Sequence, residues 1–345
     1  MAYVNIYDYK RPGIFCHFFI GGRGCGKTYG ALKGAWDDAM KGTHFYFVRR
    51  TDEERKLAEL FNPMGKVNQN EGYHAMTKAI GKKVTGFYES VPGEDGEDKP
   101  AGPPMGYMLS LSCIGAVRGL GLDDGSVDKA IFDECIPEPH VRLLKMEGDA
   151  FLNAIESLNR NRELEGMEPI TWYCLANSNK IDNPIFKSLH LVSVVERMIR
   201  KGQRDFYNYK RGLAIHLLED MEFTEAKKKT ALARMTEGSD FYDMAYNNQF
   251  SYNDFTSIKR LDAAGFTPCF AVDTSCVWQR KGQKEFYATY KEGSFAYRYR
   301  GANDADKLLA RSRHGRAFIR AYAHGQITFE SYEIKASLLD FFGIS

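Results

Sequence analysis

Eight residues, Gly21-Gly22-Arg23-Gly24-Cys25-Gly26-Lys27-Thr28, have the types and spacing of a phosphate-gripping loop, G-x-x-x-x-G-K-[ST]. Glycines let backbone N–H groups curl around a β-phosphate, the Lys27 ammonium reaches β and γ oxygens, and the Thr28 hydroxyl offers a hard oxygen to Mg²⁺. Further along, the apolar run Lys129-Ala130-Ile131-Phe132 ends in Asp133-Glu134. An acid at a strand end holds the Mg²⁺ shell in P-loop ATPases, which suits Asp133 and leaves Glu134 to polarise an attacking water. A kinase of this class has its nucleophile on the substrate and needs no such second acid, so the pair points to ATP hydrolysis. Trp172-Tyr173-Cys174-Leu175-Ala176-Asn177-Ser178-Asn179 changes abruptly from apolar to small polar residues. Asn177 or Ser178 would then stand beside the γ-phosphate, where an amide can sense it; an ordinary Asn/Ser turn is the competing reading. Arginines that could stabilise transition-state charge are Arg160 and Arg162, in Ser157-Leu158-Asn159-Arg160-Asn161-Arg162, with Arg118 as a third. Each could equally be a surface arginine.

The elements around these residues are ordered as the chemistry requires. Ile14-Phe15-Cys16-His17-Phe18-Phe19-Ile20 reads as a buried strand leading into the glycines. Ala31, Leu32, Ala35, Trp36 and Ala39 then recur at helical spacing up to a stop at Lys41-Gly42, which aims a helix N-terminus at the phosphates. His44-Phe45-Tyr46-Phe47-Val48 is another strand, followed by Arg49-Arg50, one of which could line the nucleotide pocket. Thr51-Asp52-Glu53-Glu54 then opens a helix as a capping box. The separation of loop and acid pair indicates the ATPase branch with an additional strand between them. That branch includes ring-forming motors, whose sites lie at subunit boundaries and are completed by a neighbour's arginine.

With 345 residues and 43% hydrophobic content the chain can build two packed domains, while its net charge of +2 announces no polyanionic partner. No apolar run approaches the ~20 residues that span a bilayer, and the first residues lack a signal-peptide pattern, so a cytoplasmic location is expected. Seven cysteines without a C-x-x-C pair imply reduced thiols rather than disulfides or a zinc site. From Thr256 to Ser345 fourteen Lys/Arg stand against nine Asp/Glu. Within this part, Ser294-Phe295-Ala296-Tyr297-Arg298-Tyr299-Arg300 as a strand would put rings on one face and guanidinium groups on the other, a face for phosphate backbone or simply a half-buried strand. Pro92 to Pro104 reads as a long acidic loop between two strands.

In its phosphate loop continued through Tyr29, in Phe47-Val48-Arg49-Arg50-Thr51 and in Ile131-Phe132-Asp133-Glu134, the chain resembles the DNA-packaging ATPases, or encapsidation proteins, of small Bacillus-type podoviruses. Arg118-Gly119-Leu120 is also similar to the segment ahead of the acids in large terminase subunits. The resemblance covers most of the chain. It implies an α/β fold: a P-loop ATPase domain of the additional-strand, terminase-like type over residues 1–220, a helical linker over 221–254, and a vestigial RNase H-like domain over 255–345. It further implies a homomeric ring, of five subunits, that drives double-stranded DNA through the portal into a prohead. A structural prohead RNA often bridges such a ring to the capsid. The protein would act in the host cytoplasm, transiently at the portal vertex, and be absent from the mature virion. Lys27 and Thr28 would hold phosphate and Mg²⁺, Asp133 the metal and Glu134 the water. The trans arginine falls in the region of Arg160 and Arg162.

The chain's texture agrees with that division. Arg211 to Leu218 reads as a last core strand, Phe223 to Arg234 as a charged helix, and residues after about 254 as short strands separated by Lys281-Gly282 and Glu292-Gly293 turns. Large terminases cut DNA with several carboxylates around paired metals. Here Phe270-Ala271-Val272-Asp273 supplies one strand-end acid. Glu285 and Glu292 fall by turns, and Asp304 and Asp306 begin a helix. One carboxylate cannot hold two metals, so no nuclease is expected. Arg298, Arg300 and Lys56 are candidate DNA grips. The alternatives are another ring translocase or helicase, and a non-hydrolysing, nucleotide-gated RNA or portal adaptor.

Overall fold

The computed structural model describes residues 4–94, 96–117, 125–138, 141–177, 180–218, 226, 228–239, 242 and 254–344. Two compact units are present, Met1–Leu189 with Met198–Tyr252, and His190–Arg197 with Asn253–Ser345.

The first unit is built on nine strands: β1 (Cys16–Gly21), β2 (His44–Arg49), β3 (Ala75–Ala79), β4 (Thr85–Pro92), β5 (Asp98–Ser110), β6 (Val127–Phe132), β7 (Thr171–Asn177), β8 (Asp205–Asn208) and β9 (Leu213–Leu218). Their order is β3-β4-β5-β2-β6-β7-β1-β9-β8, parallel from β5 to β9 and antiparallel at both edges. One extra strand, β7, thus separates the phosphate-loop strand β1 from the acid strand β6. All six residues of β1 are buried, because a parallel sheet is covered on both faces. On one face Phe19, Phe47, Ile131 and Tyr173 share a core with Ala31, Leu32, Ala35, Trp36 and Ala39 of α1 (Lys27–Ala39). The small alanines let that helix lie close to the sheet. On the other face Phe18, Phe132 and Trp172 meet Phe151 of α5 (Glu147–Asn159), and Phe18 meets Phe186 of α6 (Pro184–Ser188).

Shorter helices fill the connections: α2 (Asp52–Phe61), α3 (Gly65–Glu71), α4 (Ile114–Val117) and α8 (Ala231–Thr236), while α7 (Val192–Lys201) belongs to the second unit as far as Arg197 and to the first from Met198. The capping box at Thr51 and Glu54 is formed. Of the helix expected over Phe223 to Arg234, the earlier part lies largely outside the described residues. The acidic loop expected from Pro92 to Pro104 is instead a hairpin, in which β5 already begins at Asp98. Three prolines fit into β5 because Pro100 pairs with Ser90 of β4 alone, while Pro103 and Pro104 sit where the register shifts between Phe87 and Glu89. At edges and bulges a missing N–H costs no ladder bond. All seven cysteines are free; Cys113 and Cys269 are half-buried and the others buried. No helix among the described residues is long and apolar enough to cross a membrane.

The second unit has a sheet of β10 (Phe266–Val272), β11 (Ser275–Arg280), β12 (Phe286–Thr289), β13 (Arg298–Tyr299) and β14 (Ile327–Phe329). The first three form an antiparallel meander, with β13 parallel to β10 on one edge and β14 parallel to β12 on the other. Helices α9 (Asp304–Ala310), α10 (Arg316–Ala323) and α11 (Tyr332–Phe342) accompany it, and a π-turn, Arg311–Gly315, joins α9 to α10. Phe270, Val277, Phe318, Phe329, Leu338 and Phe342 form its core. The strand expected over Ser294 to Arg300 shrinks to Arg298–Tyr299. Gly293 lies flat against Trp278, where a Cβ would come within 2.7 Å, and Phe295 packs edge-on to the same indole. With those residues packed on the indole, the run joins the sheet edge only from Tyr297, whose carbonyl accepts from the Ala271 N–H at 2.9 Å.

Candidate active site

Sheet register brings the chemical residues to one end. Gly21 lies opposite Asn177 across β1 and β7, Phe132 opposite Cys174 across β6 and β7, and Val48 opposite Phe132 across β2 and β6. The phosphate loop, Asn177, Asp133 and Arg49 therefore all leave the sheet at its carboxyl edge, where parallel α/β sheets hold ligands. Gly24 and Gly26 take φ of 80° and 83°, a left-handed backbone open to glycine at no steric cost. Gly26 is also the residue from which α1 starts.

Within the loop, the Lys27 Nζ donates to the carbonyls of Gly21 at 3.0 Å and Gly22 at 2.9 Å, with Asn177 Oδ1 at 3.4 Å. Thr28 Oγ1 donates to Asp133 Oδ1 at 2.7 Å. Arg49 Nη1 meets the other oxygen of Asp133 at 2.6 Å, while its Nη2 meets Glu134 Oε2 at 2.8 Å, so one guanidinium spans both acids. Burial pushes the Asp133 carboxyl up from its ordinary range, against the pull of Arg49 and Thr28. Glu134 is exposed and has a φ of 54°, costly for a side chain with a Cβ, which turns its carboxylate out of the strand direction. Arg23, Lys27, Thr28, Asp133, Glu134 and Asn177 line a cleft of about 330 Å³. Tyr29 stands between this cleft and a second hollow of about 450 Å³ on the flank of α1, its hydroxyl bonded to Glu71.

The oxygen donors suit a hard cation. Thr28 Oγ1 and Asp133 Oδ1 already converge, and a buried carboxyl whose ionisation is opposed by burial is stabilised by a positive ion at that point.

Of the arginines expected to stabilise charge, Arg160 closes α5 with a φ of 47°, and its side chain is exposed. Arg162 is buried, and its Nε donates to the Glu168 carbonyl at 3.2 Å. Arg118 and Ser178 lie outside the described residues. Of the two arginines at the end of β2, Arg49 is the one in the site. Arg50 is buried and forms a bidentate pair with Glu147, at 2.6 and 3.0 Å, while also donating to the Arg142 carbonyl at 3.3 Å. Two acids were not legible from the sequence: Glu138, which lines the cleft and pairs with Arg23, and Glu147, which pairs with Arg50 outside it. Neither sits in a motif, and only the folded loop after the acid pair brings them back.

A family model described as Podovirus DNA encapsidation protein (Gp16) matches residues 5–343. The DNA packaging protein of Bacillus phage phi29 is 26% identical over 236 residues, covering 68% of this chain and 61% of that protein. The DNA packaging protein of Bacillus phage B103 is 25% identical over 237 residues, covering 68% and 64%. The chain thus spans less than two thirds of the length of these curated relatives. Among solved structures, a chain of the bacteriophage Phi-29 viral genome packaging motor assembly aligns with a TM-score of 0.66 at 21% identity, over 98% of this chain and 97% of that one. The Phi-28 gp11 DNA packaging motor aligns at 0.57 and 18% identity, over 95% and 94%. The fold is shared with both.

Proposed function

Since the chain belongs to the podovirus DNA encapsidation protein family, we propose that it hydrolyses ATP to drive double-stranded DNA into a prohead, as a homomeric ring on the portal. The observation that carries this reading is the meeting of Lys27, Thr28, Asp133, Glu134 and Asn177 at one sheet edge. Lys27 neutralises the β and γ oxygens, and loop N–H groups hold the β-phosphate. Thr28 and Asp133 would hold Mg²⁺, which when bound would supply positive charge against the charge that develops on the phosphates. Glu134 orients and polarises the attacking water. Asn177, within reach of Lys27, registers whether the γ-phosphate is present. Arg49 must yield Glu134 before that carboxylate is free to serve as base, because a guanidinium-paired acid is a poor proton acceptor.

A neighbour's arginine completes the site in this reading. Arg160 suits the role, being exposed at the end of α5, whereas Arg162 is spent on its own loop. Five subunits and a bridging RNA follow from the family resemblance. We also infer no nuclease activity: both oxygens of Asp273 accept from the Gly301 N–H at 3.1 Å, a structural use of the acid. Metal-dependent cleavage of linear DNA that is lost in Asp273→Ala would overturn that inference. The test of the motor is Glu134→Gln: turnover collapses while ATP binding survives, and the unsubstituted protein is stimulated by duplex DNA and by proheads. An adaptor that only binds nucleotide would lose nothing on that substitution.

A further inference from the structure

The DNA grips read from the sequence are engaged elsewhere. Arg298 pairs with Glu292 at 2.7 Å, Arg300 with Asp306 at 3.4 Å, and Lys56 with Asp52 at 3.2 Å. A different stretch is not so neutralised. From Lys307 to Phe329 the chain carries five Lys/Arg and no Asp or Glu. It covers most of α9, the π-turn and α10. Two of its cations are used locally: Lys307 faces Asp304 at 3.4 Å, and Arg311 donates to the Phe341 carbonyl, ending α11.

The other three point away from the core. Ala310, Gly315, Phe318 and Ala321 are buried, so the opposite side of this helix is exposed, and Arg313, Arg316 and Arg320 are all exposed. Arg316 and Arg320 lie four residues apart on one stripe. Among the described residues neither has a carboxylate partner. Arg313 has its guanidinium 4.8 Å from the Tyr297 ring centre, a contact that aligns the cation without neutralising it. The π-turn inserts its extra residue just before α10, so that Arg313 lies over Tyr297. Three unneutralised cations, one on the π-turn and two on α10, match the repeating charge of a phosphate backbone.

We propose that Arg313, Arg316 and Arg320 form a sequence-independent phosphate-binding ridge for double-stranded DNA on the second unit. The choice of DNA rests on the motor reading above; the ridge itself rests on charge and exposure. Contacts to phosphate carry no sequence information, which suits a contact that must pass over any sequence.

The experiment measures binding of the full chain to a fluorescent DNA duplex by anisotropy across a salt series. It compares the unsubstituted protein, Arg316→Ala with Arg320→Ala together, and Arg298→Ala with Arg300→Ala together. The expected result is a log-log salt slope smaller by about 1.8 in the first variant, since each lost phosphate contact removes about 0.9, and a near-unchanged slope in the second. An unchanged slope in the first variant overturns the ridge, as does a duplex of RNA bound in place of DNA. ATP hydrolysis without DNA is measured in parallel and is expected to persist in both variants. Failure of the motor reading would appear there, as turnover indifferent to Glu134→Gln, and would leave the salt slopes intact.

Discussion

Arg49 and Glu134 carry most of what is distinctive at the level of single residues. Arg49 holds the Asp133 carboxyl down against burial, so Arg49→Ala should raise that group's pKa further. A higher pKa means the metal-holding acid ionises only at higher pH, and the acid limb of the kcat/KM profile should move upward; an unmoved limb would exclude Asp133 as the titrating group. Glu134 holds a left-handed backbone. Glycine there should be more stable than alanine by about 1 kcal/mol in denaturant titration, while both variants lose turnover. His17 sits buried on β1, its Nδ1 3.1 Å from His216 Nε2, and His216 in turn contacts Asp205 at 2.7 Å. Burial, reinforced by His216, lowers the pKa of His17 from 6.5 to about 4. The unfolded chain therefore takes up the proton first as pH falls. The stability conferred by a neutral His17 is complete above pH 6.5 and is lost as pH falls through about 4, on the order of 3 kcal/mol. Melting temperature should drop over that window, and less steeply in His17→Gln. The phosphate loop and acid pair were legible because their chemistry fixes residue types at fixed spacing. The Arg49 bridge, the Arg23–Glu138 pair and the backbone of Glu134 were not, since each depends on chain segments that meet only after folding.

Among the elements, β2 and α5 are joined by one buried ion pair. Arg50, just past β2, and Glu147, at the first position of α5, are both almost wholly buried, and Glu147 also accepts the Leu144 N–H at 3.1 Å. Removing either partner alone leaves a buried charge and should cost roughly 3–5 kcal/mol by thermal or chemical denaturation. Arg50→Met combined with Glu147→Leu should recover most of that loss. Equal destabilisation in the double variant would mean the pair is favourable in its own right. Helix α1 and the parallel strands could be read from the sequence because apolar periodicity and the glycine stops agree there. The β4–β5 hairpin has the composition of a loop, dominated by prolines and acids, and only the register shift between Phe87 and Glu89 explains how they fit a strand. The run from Ser294 to Arg300 differs in the opposite sense, having the alternation of a strand but forming one only over Arg298–Tyr299. Alternation alone does not make a strand when a large ring elsewhere takes the same residues for its own packing, and here the Trp278 indole claims Gly293 and Phe295.

For the molecule as a whole, the proposed ring makes each catalytic site the property of two chains. If Arg160 acts in trans, subunits carrying Lys27→Ala and subunits carrying Arg160→Ala, each inactive alone, should regain activity when mixed. A random ring of equal parts forms intact interfaces at about a quarter of its positions, from a cyclic head-to-tail contact. No recovery would place the arginine in the same chain as the lysine, or assign the role to another residue. The free thiols bear on how such a ring could be watched. Each compact unit has one half-buried cysteine, Cys113 in the first and Cys269 in the second, and the remaining five are buried. Burial also raises the Cys269 thiol, so its alkylation should accelerate as the buffer is made alkaline. The unaltered chain thus has a donor and an acceptor position for two dyes, and energy transfer between them would follow the units through an ATP cycle without any engineered cysteine.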